Sequence, residues 1–419
     1  MRPAQTVALS ARNLLRHRRR TIITAGAVAV GLALYILVDS LLLGVELESN
    51  RNVIWYETGA AQVVHRDYPA ERQDRPLKFS VENAAVVERS LEAAGFQATS
   101  RIVFSAEMVV FRDPFPEDGS VQITAYGIDP ENDRAVFRLP RTVTDGRYLA
   151  GGENGALLGA WLAEDIGARV GFPLTLVTRT RDGHFQTIDL EVVGIVDTPN
   201  PVINRSAVFV PETVAAAYLQ MEGAATEIAV ADQVGRPLPA ITAQMRRAVA
   251  GMPQLAVADW RTLAADAVAI AEAKETGSGI ILFLVFVIAA VGVSNTVLMS
   301  VLERTRELGM MRALGMRDRE VTAALLVEAA GIGLVGGLVG IVLGAAGVSA
   351  LVEFGIDYGS MMRDADVGYR VTQVIYGAWN PRAFGRALLA GILISVVTAS
   401  VPVRRAVRMS VIDSLRRST

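Results

Sequence analysis

Cysteine is absent from the 419-residue sequence. Disulfides, iron–sulfur clusters and thiolate zinc sites are therefore excluded. Histidine occurs three times, at His17, His65 and His184, too far apart in sequence to suggest a multi-histidine metal site. Lysine is scarcer still, with Lys78 in RPLKFS and Lys274 in AEAKETG. Neither follows a glycine-rich loop, so no G-x-x-x-x-G-K-[ST] phosphate cradle is present. Nucleotide energy, if used, is expected from another chain. An excess of one charge is also lacking: 41 basic against 43 acidic residues leave a net −2. A globally basic nucleic-acid binder is thereby excluded, and no nucleic-acid partner is expected.

What the chain has instead is apolar length. Hydrophobic residues make up 51% of it. Residues 21–45, TIITAGAVAVGLALYILVDSLLLGV, carry one charge, Asp39, and are long enough to cross a bilayer. The run is too long for the core of a secretory signal and has no clear cleavage site, so an uncleaved anchor is expected. Residues 279–302 contain no charge, residues 322–352 contain only Glu328, and residues 387–403 form a shorter run ending near Pro402. The expected fold class is thus a four-span α-helical membrane protein with a large α+β extracytoplasmic domain between spans one and two.

Arginine sets the orientation. Residues 1–20 hold Arg12, Arg16, Arg18, Arg19 and Arg20, with apolar positions at helical spacing, as in an amphipathic helix on the inner leaflet. Residues 303–320 hold Arg304, Arg306, Arg312, Arg317 and Arg319, and the 404–419 tail holds five more. The 353–383 loop carries Glu353, Asp357, Asp364 and Asp366. Both termini and 303–320 are expected inside, with 46–277 and 353–383 outside.

The outside segment reads as alternating strands and helices. Strands are expected at 60–65, 101–111, 121–128, 174–180 and 187–196, and helices at 81–95, 213–220 and 239–252. RDGH at 181–184 is a turn signal that joins the last two strands as a hairpin. His184 sits in that turn with no serine-based or metal-assisted motif beside it, so no catalytic residue is expected. In the third span Gly336, Gly340 and Gly344 recur every four residues, with Gly333 and Gly337 beside them. Such small-residue rows suit close helix packing, within the chain or against a second subunit. Asp39 and Glu328 lie near the outer and inner ends of their spans, where interfacial placement accounts for them.

The segment ERTRELGMMRALGMRDRE, residues 303–320, alternates charge and apolar side chains between two spans. Leu308, Met311 and Leu314 fall at helical spacing, Glu303 can pair with Arg306 and Arg304 with Glu307, and Gly315 is placed to end the helix. This stretch resembles the coupling helix of the FtsX-like ABC transporter permeases, through Glu303, Arg304, Glu307, Leu308, Gly309, Arg312, Ala313, Leu314 and Gly315. The tail PVRRAVRMSVIDSLRR resembles the family's ending, and YGIDPEND, VVGIVDT and AVFVPETVAAAYL resemble its periplasmic core domain, in order.

That resemblance implies a bacterial inner-membrane permease without its own ATPase, cofactor or metal site. A cytoplasmic ABC ATPase dimer, binding ATP and Mg, would dock at 303–315, including Arg306 and Met311. A second permease subunit, identical or not, would complete the assembly among membrane lipids. Size is similar to that of the lipoprotein-releasing (Lol-type) permeases, which implies lipoprotein extraction toward a periplasmic carrier. The short RDGHFQ turn departs from the longer, proline-containing carrier hook of one such subunit. A macrolide-exporter type working with an adaptor, or a signalling permease controlling a cell-wall hydrolase, are the alternatives.

Overall fold

In a computed structural model, residues 18–110, 119–233, 235–265, 315–357 and 374–407 are described, with scattered positions between 277 and 313. The chain divides into two compact units: residues 48–269, and residues 1–47 with 270–419.

The first unit is built on a ten-stranded sheet. Its elements, in order, follow helix α1 (Arg18–Val53) and a π-helical turn (Ile54–Thr58): β1 (Ala61–His65), α2 (Tyr68–Glu71), α3 (Ala84–Ala93), β2 (Ala98–Val110), β3 (Gly119–Ile128), α4 (Pro130–Val136), β4 (Val143–Gly146) and β5 (Gly155–Gly159). Then come α5 (Ala160–Ile166), β6 (Pro173–Arg179), β7 (Phe185–Val196), α6 (Pro201–Ser206), β8 (Ala207–Pro211), α7 (Glu212–Leu219), β9 (Glu227–Val230), α8 (Leu238–Ala248), β10 (Leu255–Asp259) and α9 (Trp260–Leu263).

Strand order runs β10-β1-β9-β2-β3-β8-β5-β7-β4, and β6 pairs with both β2 and β7. The pairings β2-β3-β8-β5-β7-β6 therefore return to β2 and close a six-stranded circuit. The length of β2 makes this possible: its first residues pair with β9, and Glu107–Val109 pair with β6. Period-two alternation supplies the interior. Ile102, Phe104, Met108, Leu176, Ile188 and Val208 all face one core. A second core forms where α3 and α8 lay Val87, Leu91, Ile241 and Met245 on β1 and β9.

The five expected strands correspond to β1, β2, β3, β6 and β7, and the three expected helices to α3, α7 and α8. The shorter β4, β5, β8, β9 and β10 were not anticipated. They are four or five residues long, too short for alternation to register.

Among the described residues, three helices are long and apolar enough to cross a membrane: Ile22–Thr58, Asp318–Phe354 and Pro381–Arg405. The latter two belong to α10 (Asp318–Phe354) and α11 (Pro381–Val407), separated in sequence by the short pair β11 (Ile356–Asp357) and β12 (Val374–Ile375). The expected span at 279–302 lies largely outside the described residues, as do the expected amphipathic segment before Arg18 and most of the tail.

The helices overrun the apolar segments. Helix α1 continues past residue 45 through Glu46–Arg51, with Glu48 and Arg51 paired at 3.4 Å. Hydropathy marks where lipid contact stops, and polar helix formers carry the helix farther. Helix α10 begins at Asp318, so the last residues of the expected 303–320 segment belong to it. Helix α11 begins at Pro381 rather than 387, and takes 381–383 from the expected outer loop. Proline suits the first helical turn, where its missing N–H costs nothing.

Candidate functional site

The two glycine rows of α10 address two different helices. A Cβ at Gly336 would stand 2.8 Å from the Ala25 carbonyl oxygen, and one at Gly340 2.9 Å from that of Ala29. At Gly344 it would meet Ile36 at 3.0 Å. A Cβ at Gly333, by contrast, would collide with the Gly391 carbonyl oxygen, and one at Gly337 would stand 2.8 Å from Leu388. The row 336/340/344 thus receives α1 and the row 333/337 receives α11. Contacts this short are open only to glycine, and they gain dispersion energy where lipid offers no hydrophobic drive. Val28, Leu32 and Ile36 of α1 join Leu325 and Val348 of α10 and Ile394 of α11 in one apolar core.

Asp39 is tied into this unit by a specific bond. Its Oδ2 accepts from Asn380 Nδ2 at 2.7 Å, while Ser40 Oγ donates to the Ala378 carbonyl at 2.8 Å. A Cβ at Gly44 would collide with the Tyr376 carbonyl oxygen. The 376–380 segment is therefore seated on α1, a role for Asp39 that spacing along the sequence gave no means to find. Glu328 is half-buried on α10.

Of the expected docking segment, Glu303, Arg304, Arg306, Glu307, Leu308, Gly309, Met311 and Leu314 lie outside the described residues. Arg312 and Ala313 are helical. Gly315 has φ +96°, a left-handed conformation that ends a helix at little cost for glycine, and its N–H bonds to the Arg312 carbonyl at 3.0 Å. Beyond it the chain restarts: the Glu320 carboxylate accepts from the Arg317 N–H at 2.9 Å, and Arg312 pairs with Asp318 at 3.0 Å. That ion pair spans the break, so the end of the segment is fastened to the start of α10.

In the other unit, α1 ends in a π-helical turn whose last carbonyls meet a buried cluster. Arg101 on β2 is wholly buried, pairs through Nε with Asp133 Oδ1 of α4 at 2.8 Å, and reaches the Glu57 carbonyl from Nη1 at 3.5 Å. Its guanidinium lies 3.2 Å from the Phe137 ring centroid and 5.7 Å from that of Tyr126. Desolvated cation–π contacts of this kind are worth about 2 kcal/mol. Trp55 of the same turn is covered by Arg138 at 3.4 Å and Arg51 at 5.2 Å. The Gln62 side-chain amide and Arg101 Nη2 are buried without a partner among the described residues. Across the β2–β9 ladder Arg101 faces Glu227. Burial pushes the Glu227 carboxyl up to about 7, against the pull of Arg72 and Arg101.

A second acidic group joins three elements. Ser100 of β2 gives its N–H to Glu88 of α3 and its hydroxyl to Glu212 of α7, the latter at 3.0 Å. Burial raises both carboxyls; that of Glu212 goes up to about 7, with Glu88 and Asp129 adding repulsion and the Ser100 bond opposing. Sequence reasoning missed Arg101, Glu227 and Glu212, which stand as single charges within apolar strands or at helix starts. A charged residue inside an otherwise apolar alternation, as Arg101 is, was the available signal.

His184 is exposed in the β6–β7 turn, where its N–H bonds to Thr180 Oγ1 at 3.2 Å. Beside it Phe185 is 72% exposed, with the Arg179 guanidinium 4.5 Å over its ring. No group of three or more His, Asp or Glu residues suited to a metal occurs among the described residues.

Residues 279–411 match the FtsX-like permease C-terminal domain, and residues 21–248 match the MacB-like periplasmic core domain. An uncharacterized ABC transporter permease from Methanocaldococcus jannaschii is 31% identical over 129 residues, 31% of this chain and 29% of that protein. A macrolide export ATP-binding/permease protein MacB from Burkholderia pseudomallei is 30% identical over 216 residues, 50% of this chain and 30% of that protein. The matched part spans under a third of the length of these relatives. Among solved structures, the periplasmic region of MacB from Actinobacillus actinomycetemcomitans covers 51% of this chain and 94% of its own, at 13% identity and a TM-score of 0.34.

Proposed function

The chain belongs to the ABC transporter permeases that join a MacB-like periplasmic core domain to an FtsX-like permease domain, and from that membership we propose that it transmits ATP-driven motion to its periplasmic domain. A cytoplasmic ATPase docks at residues 303–315, and both termini face the cytoplasm of an inner membrane. The observation that carries this reading is the match of residues 21–248 and 279–411 to the two domains of that family. Within the membrane unit, the glycine rows of α10, the helix that follows the docking segment, pack against α1 and α11.

On this reading the substrate is an acylated lipoprotein lifted toward a periplasmic carrier. Export in the manner of a macrolide exporter, with an adaptor and duct, is an equal second reading, because the relative matched over half of this chain is named for that activity. The test is co-purification with the ATPase, followed by ATP-dependent release of bound acylated protein and by macrolide susceptibility of cells. Charge reversal at Glu303 and Glu307, or Gly309→Pro, is expected to uncouple ATP hydrolysis while leaving the chain in the membrane. Unchanged docking and transport in both variants would sink the motion-transmitting role. Release of acylated protein without a change in macrolide susceptibility selects the first substrate; the converse selects the second.

A further inference from the structure

Among the described residues, helix α11 presents one continuous exposed face. Arg382, Arg386, Leu389, Leu393, Val397 and Val401 follow one another at three- and four-residue steps, and all are exposed. Its opposite face, with Ala387, Ile394 and Val403, is buried in the core shared with α1 and α10. The exposed face is aliphatic for four positions and then, at its Pro381 end, bears two guanidinium groups. The first turn has no acidic residue. Aromatic side chains mark the same end: Trp379 is 49% exposed and stacked on Phe384 at 5.9 Å, and Tyr376 is 52% exposed. Half-exposed Trp and Tyr beside a span sit at headgroup level.

Two arginines at this end are unexpected under the topology reading above, on which this inference rests, because that end faces outward and arginine normally accumulates inside. At the same end the Asp39 carboxylate of α1 accepts from the Asn380 amide at 2.7 Å. From Arg386 to Val397 the helix rises about 16 Å, half the thickness of a bilayer's hydrocarbon core. Charge, depth and length thus fit one molecule: a phosphate at Arg382 and Arg386 with acyl chains over Leu389, Leu393 and Val397.

We propose that the outer end of α11 is a binding site for an anionic phospholipid of the outer leaflet. The arginines supply charge-assisted hydrogen bonds to the phosphodiester, and the aliphatic row supplies the fit for the chains. Neutral zwitterionic lipid carries the same phosphate with a compensating ammonium and is held less tightly.

The experiment uses the full chain in nanodiscs of mixed phosphatidylglycerol and phosphatidylcholine, with retained lipid measured by native mass spectrometry. Phosphatidylglycerol is expected to be enriched over the bulk ratio, and the enrichment to fall on the order of five-fold for each arginine in Arg382→Gln and Arg386→Gln. Arg404→Gln with Arg405→Gln, at the opposite end of α11, is expected to leave it unchanged. Equal enrichment in wild type and the outer-end double variant overturns the proposal. So does a disulfide between two copies through Leu393→Cys in membranes, which makes the face an interface between copies. Labelling of Trp379→Cys by a membrane-impermeant reagent from outside the cell separates this from the topology: if that label fails while enrichment persists, the orientation is reversed and the outer-leaflet assignment falls.

Discussion

Arg101 and Asp133 are joined by a 2.8 Å ion pair from which solvent is wholly excluded. One charge comes from the middle of a strand and the other from a short helix whose start is set by Asp129, which accepts from the Glu131 N–H at 2.9 Å. Removing one partner leaves the other charged and buried. Arg101→Met is therefore expected to destabilise the periplasmic domain by about 3–5 kcal/mol, and Arg101→Met with Asp133→Leu to recover most of that loss. Denaturant titration of the two variants and wild type checks it; a double variant as unstable as the single one would contradict it.

Stability is expected to fall as pH rises through neutrality. The Glu227 carboxyl has its folded-state pKa raised from 4.5 to about 7, so the folded form holds the proton more tightly than the unfolded form. The resulting stabilisation is complete below about pH 4 and is lost as pH climbs through 7. For this fully buried group it is on the order of 3 kcal/mol. Glu227→Gln removes that dependence, so the variant should gain on wild type at pH 8 relative to pH 5. Glu212 adds in the same direction, by less because it is partly exposed. Melting temperatures across pH 5–8 provide the measurement.

Gly340→Val should weaken the membrane unit, since a Cβ there stands 2.9 Å from a backbone carbonyl oxygen that has no flexible atoms to move. Overpacking of this kind costs about 1–3 kcal/mol. Gly26→Ala is the control: nothing lies within 4 Å of its Cβ position, and helix propensity favours alanine by about 1 kcal/mol. Thermal aggregation in detergent should order the three proteins Gly26→Ala, wild type, Gly340→Val, from most to least stable.

Phe185→Ser is expected to leave folding within about 0.5 kcal/mol of wild type, because the ring is mostly in solvent, with the Arg179 guanidinium 4.5 Å over it. Any loss of transport in that variant then reports recognition at the β6–β7 tip. A melting shift of several degrees would show that the ring supports the hairpin instead.

The longer elements could be read in advance because their patterns are long. Alternation over 101–111 and 187–196 foretells β2 and β7. The buried charges could not be read so. Whether Arg101 meets solvent, a ligand or Asp133 depends on folding that brings together residues 32 positions apart. The seat of Asp39 against Asn380 joins positions 341 apart. Local periodicity carries no information about such pairings. Helix ends were misjudged for a different reason: hydropathy reports lipid, whereas α1, α10 and α11 all begin or continue in polar sequence.

The closed circuit β2-β3-β8-β5-β7-β6 has a consequence for crowding. A strand with an unpaired edge is a template on which another chain can add. Along the described sheet, free edges remain at β10 and at β4, and β4 is four residues long with an irregular register against β7. Neighbouring copies packed at high density in a membrane therefore find little backbone on which to zip together. A partner that engages the barrel must grip its side chains, turns and helices rather than extend its sheet.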